Sequence, residues 1–106
     1  MDIKTFENKL AMNTSALRQV KRLKTALRPT DIDIGISTAF TITFNFTWGD
    51  RIFSDRLVIK VESWGSNKRI EIYGSGEKQA GKIMPLTPAN INKIYSTGMK
   101  VYKEMK

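Results

Sequence analysis

Between Ile32 and Trp48 the chain alternates hydrophobic and polar residues. Ile32, Ile34, Ile36, Phe40, Ile42, Phe44, Phe46 and Trp48 fall on even positions, and Asp33, Gly35, Ser37, Thr41, Thr43, Asn45 and Thr47 lie between them. Strand side chains point alternately to opposite faces, so this spacing predicts a long β-strand with one apolar and one hydroxyl-rich face. Thr38 and Ala39 break the alternation, and a bulge or bend is expected there.

Gly49-Asp50 is turn chemistry, and a second strand is expected from Ile52 to Ser63, with Leu57, Ile59 and Val61 on its inner face. A turn at Gly65-Ser66-Asn67 leads to a third strand over Lys68–Tyr73, with Ile70 and Ile72 inward. Gly74 to Lys82 (GSGEKQAGK) reads as a flexible, mildly basic loop. It is not a P-loop, because no glycine-lysine-serine/threonine ending leads into a helix. Lys82 to Leu86 is expected as a short fourth strand, restricted to an edge by Pro85.

At both ends the apolar spacing changes to three and four. Ile3, Phe6, Leu10, Leu17, Val20, Leu23 and Leu27 predict helix over residues 2–28, either continuous or split by Asn13-Thr14-Ser15 into 2–11 and 14–28. Pro29 ends it. The last helix starts at Thr87, with Pro88 in its first turn and Leu86 placed to staple on Ile91. Gly98 in mid-helix costs up to about 1 kcal/mol relative to alanine, so a close packing partner is expected, either the sheet or a second subunit. The fold class is α+β in a single domain, residues 1–106. An antiparallel meander of three to four strands carries an N-terminal and a C-terminal helix on one face, in the order α-β-β-β-(β)-α.

Composition then narrows the chemistry. The 106 residues contain no cysteine and no histidine. That removes disulfides, thiolate nucleophiles, cysteine-zinc sites and the usual general base near neutral pH. Carboxylates are the acid-base groups left. Asp31, Asp33, Asp50 and Asp55 sit where turns and strand entrances explain them, and the acid-any-lysine triplet Glu104-Met105-Lys106 lies at a helix end. No enzyme activity, metal or cofactor is expected. The N-terminal MDIKTFENKL does not read as a signal peptide, and no apolar run approaches the ~20 residues of a membrane span, so a cytoplasmic location is expected.

The net charge is +8. On so short a chain it implies a field that attracts nucleic acid or an acidic protein surface. Arg18, Lys21, Arg22, Lys24 and Arg28 recur on one helix with no acid from 16 to 28, a repulsion of a few tenths of a kcal/mol per neighbouring pair that an anion would relieve. A second candidate surface is the outer sheet face with its loops: Arg56, Lys60, Trp64, Lys68, Arg69, Tyr73, Lys78 and Lys82, beside Thr41, Thr43, Asn45 and Thr47. Basic groups for phosphate and aromatic faces for stacking are what single-stranded nucleic acid needs. Glu62 and Glu71 share the parity of that face and weaken it.

Residues 57–97, LVIKVESWGSNKRIEIYG followed by GKIMPLTPANINKI, resemble the single-stranded-DNA-binding transcriptional coactivators of the positive-cofactor type. The matching positions are the strand pair Val58–Val61 and Arg69–Ile72, Lys82 before the last strand, and Leu86-Thr87-Pro88. The resemblance implies a dimer that grips unpaired DNA on its sheets, with Lys68 and Lys82 on phosphate. The function expected from residues and resemblance together is non-catalytic nucleic-acid binding, with single strands favoured. The alternative is a small, virus-type inhibitor that docks on a host nucleic-acid-processing protein.

Overall fold

The computed structural model describes residues 14–36, 40–47, 55–62, 68–76 and 78–105. Helix α1 (Thr14–Leu27) is followed by strands β1 (Asp31–Ile36), β2 (Phe40–Phe46), β3 (Asp55–Glu62), β4 (Arg69–Ser75) and β5 (Gln79–Pro85). A single turn of helix, α2 (Pro88–Ile91), then precedes α3 (Ile94–Glu104). The strands form one antiparallel sheet in sequence order, β1-β2-β3-β4-β5. The fold is α+β, with α3 packed against both the sheet and α1. The expected helix over 2–11 lies outside the described residues.

Five strands stand where three or four were expected, for two reasons. The alternating stretch from Ile32 is two strands rather than one: Ile36 pairs with Phe40 and Ile32 with Phe44, so the chain reverses where a bulge was expected. Every pair in this hairpin joins residues of like parity, even to even or odd to odd, and both strands therefore turn their even residues to the same side. The alternation runs across the reversal without a change of phase, which hides the turn. The expected glycine loop is mostly strand as well. Gly74 and Ser75 complete β4, and β5 begins at Gln79 rather than Lys82, with Gly74 paired to Ala80 and Tyr73 to Gly81.

The inner sheet face and both long helices share one core. Ile42, Phe44, Leu57, Ile59, Ile70 and Ile72 from the sheet close on Val20 and Leu23 of α1 and on Ile94, Val101 and Met105 of α3. The helices touch where α3 has no side chain: a Cβ on Gly98 would lie 2.7 Å from Leu23 Cδ1. The partner that the mid-helix glycine demanded is thus α1.

The last helix is interrupted rather than continuous from residue 87. Thr87 caps α2 by accepting from Asn90 N, Asn92 keeps right-handed dihedrals at φ −70°, ψ −8°, and Lys93 then departs from helical geometry at φ −100°, ψ 1°. Gln19 Oε1 accepts from Tyr95 N at 2.8 Å, so a side chain of α1 satisfies one of the free N–H groups opening α3.

Candidate nucleic-acid interface

The sheet register sorts the charged residues by face. Asp31, Asp33, Arg56, Lys60, Glu62, Arg69 and Glu71 lie on the outer face, away from the helices, together with Thr41, Thr43 and Asn45. The outer face is therefore of mixed sign. Two of its cations are also paired: Lys60 Nζ lies 3.1 Å from Glu62 Oε1, while Arg69 reaches Glu62 through Nε and Glu71 through Nη2, both at 2.9 Å. The Lys60 ammonium, and after it Arg69, hold the Glu62 carboxyl below its usual range against an opposing push from burial. The same bond to Glu62 lifts the Lys60 ammonium above its own usual value. On β1, Asn45 Nδ2 donates to Asp33 Oδ2 at 2.9 Å.

The outer face also carries the two exposed large hydrophobic residues among those described, Tyr73 (42% exposed) and Ile83 (68%). They line a shallow cleft of about 390 Å³ with Glu71, Gly81 and Lys82. Tyr73 lies directly across from Val58 and Gly81, and Val58 is buried there despite facing outward.

Other sheet-surface candidates fall elsewhere. Lys82 pairs with the core residue Ile72, so it belongs to the helix side of edge strand β5 and not to the outer face. Lys78 is exposed at the β4–β5 turn, where its N–H donates to Met105 O at 3.1 Å, a cation beside the C-terminal end of α3. Lys68 is exposed at the entrance to β4, its carbonyl accepting from Leu86 N. Trp64 lies outside the described residues. Sequence parity thus brings Arg56, Lys60, Arg69 and Tyr73 onto one face, but with acids enough to cancel them.

The helix layer differs. Ala16, Val20, Leu23 and Leu27 turn the apolar stripe of α1 into the core, leaving Arg18, Lys21, Arg22 and Lys24 exposed on its other side. Arg28 follows immediately, and Lys93, Lys100 and Lys103 are exposed on and before α3. The described residues of α1, α2 and α3 include a single acid, Glu104. The Arg22 guanidinium stacks over the Tyr95 ring, 4.0 Å from its centre, and joins the two helices. Lys93, Lys100 and Lys103 are not among the candidates the sequence offered. Their helical spacing opposite Ile94 and Val101 was the available signal.

Arg28 shows a further feature. It has φ 50°, in the left-handed region, and its N–H donates to Lys24 O at 3.0 Å to close the helix. Glycine is the usual residue at that position.

No family model matches the chain, and neither a curated protein nor a solved structure matches it. Among the described residues no three acidic side chains cluster in a way that would hold a metal ion, and no helix is long and apolar enough to cross a membrane.

Proposed function

We propose that this protein binds nucleic acid through its helix layer, by contacts to phosphate and without catalysis. One observation carries the reading: the exposed side of α1 presents Arg18, Lys21, Arg22, Lys24 and then Arg28 with no acid among them, while the large exposed apolar residues among those described, Tyr73 and Ile83, lie on the opposite face of the sheet. A partner recognised by cations alone is a polyanion. Protein interfaces concentrate their energy in buried aromatic and aliphatic anchors, which the described helix layer does not offer. An anionic membrane is served by an amphipathic helix whose apolar side enters the lipid, and the apolar side of α1 is already in the core.

Titration of labelled oligonucleotides at several salt concentrations tests this. If the four α1 cations and Arg28 all meet phosphate, log K falls against log salt with a slope of about −3.5 to −4.5. Absence of binding at micromolar protein in low salt ends the reading.

A protein partner is the second reading, and Tyr73 with Ile83 is the observation that favours it. The two readings use opposite faces. Ile83→Asp would abolish docking on a protein and leave nucleic-acid affinity within about twofold, whereas reversing charges on α1 would do the opposite.

A further inference from the structure

We infer that the form bound is double-stranded, held by its sugar-phosphate backbone with no reading of bases. This rests on the helix layer being the polyanion surface, and it departs from the single-strand preference that the sequence and its family resemblance suggest.

Single-strand binders stack bases on open aromatic rings. On the described helix layer no such ring stands open. Tyr95 is covered by Arg22 at 4.0 Å, and Tyr102 lies tilted against Phe46, ring centres 5.1 Å apart. The exposed aromatic among the described residues, Tyr73, is on the far side of the sheet beside paired charges.

Base edges are read most specifically by paired donors and acceptors, Asn and Gln for adenine, Arg for guanine. The amide that α1 carries, Gln19, is committed to the N–H of Tyr95. The guanidinium of Arg22 is stacked on that same residue, and those of Arg18 and Arg28 stand at the two ends of a row of cations, with no amide on α1 beyond Gln19 beside them. That row of long exposed cations spans about 15 Å from Arg18 to Arg28 at 1.5 Å per residue. Duplex DNA presents one charge per about 1.7 Å of axis, twice the density of either strand. Contacts made by charge alone therefore favour the duplex.

The experiment compares the full-length protein on a labelled duplex of about 20 base pairs, on each of its separated strands, and on a second duplex of unrelated sequence, at about 50 and 200 mM salt. Phosphatidylserine vesicles serve as a fourth probe. The expected result is duplex affinity several-fold above either strand, the two duplexes within about twofold, and a drop of at least tenfold for the double variant R18E/K21E. That variant should melt near the parent, and Gln79→Glu on the outer face should bind as the parent does. Tighter binding to a single strand, or a tenfold difference between the duplexes, overturns the inference and leaves nucleic-acid binding standing. Failure to bind any oligonucleotide, with or without binding to vesicles, overturns both.

Discussion

Arg28 occupies a backbone position that most proteins fill with glycine. Its φ of 50° brings its Cβ toward the carbonyl, a strain of about 1 kcal/mol. A cation suits the C-terminal end of α1 electrostatically, by roughly 0.3–1 kcal/mol, which offsets part of the strain. Arg28→Ala keeps the strain and removes the charge; Arg28→Gly removes both. The glycine variant should be about 1 kcal/mol more stable than the alanine variant by urea denaturation, while both lose the same few-fold in oligonucleotide affinity. Unequal affinities would mean that Arg28 acts through the backbone rather than its charge. Gly98 poses the inverse problem. Alanine there gains up to about 1 kcal/mol of helix propensity but drives a methyl to 2.7 Å from Leu23 Cδ1, and overpacking a filled core costs about 1–3 kcal/mol. Gly98→Ala should therefore destabilise the parent, and become neutral or stabilising once Leu23→Ala has opened the space. A double-mutant cycle checks the change of sign.

Among the elements, the helices were legible because their apolar spacing sits on faces that the core then uses. Val20, Leu23 and Leu27 are buried as the three- and four-residue steps require, and Thr87-Pro88 begins a helix as its capping chemistry predicts. The β1–β2 reversal was not legible, since a register of like parity leaves the alternation unbroken. Nor was the start of β5, Gln79 to Gly81, which read as loop, although its continuation from Lys82 was expected as an edge strand. It is a strand because β4 offers it a complete ladder, from Arg69–Pro85 to Ser75–Gln79. The break before α3 was equally silent, since the cap on Tyr95 N comes from Gln19, which is 76 positions away. Pairing across β3 and β4 also predicts how stability responds to pH. Glu62 titrates below its usual value in the fold, so its contribution is complete above the unfolded carboxylate pKa of about 4.3 and fades as pH falls through the folded value. Lys60 runs the other way: its contribution is complete below about 10.4 and fades as pH rises past that. Glu62→Gln should flatten the fall in melting temperature between about pH 5 and pH 3 and also the fall at the alkaline end. An unchanged acid limb would show that the ion pairs add nothing to the fold.

For the whole molecule, the net charge of +8 was visible in the sequence and its placement was not. On the sheet, Lys60 and Arg69 are joined to Glu62 and Glu71, acids two positions along their strands that share their parity, and Asp31 and Asp33 of β1 lie on the same face as Arg56. The described helices differ in that α1 carries no acid of its own and α3 carries Glu104 alone. Charge reversal on α1 should therefore lower oligonucleotide affinity about tenfold or more, and the same change on the outer face should alter it by less than about twofold, as read by fluorescence anisotropy at fixed salt. Such one-sidedness fixes orientation as well as attraction. A copy that lands with α1 on phosphate must turn Tyr73 and Ile83 outward, and each further copy along the polymer must do the same. A duplex clothed in this protein would then show its surroundings phenol and hydrocarbon where it had shown phosphate, so whatever next approached it would meet a different substance.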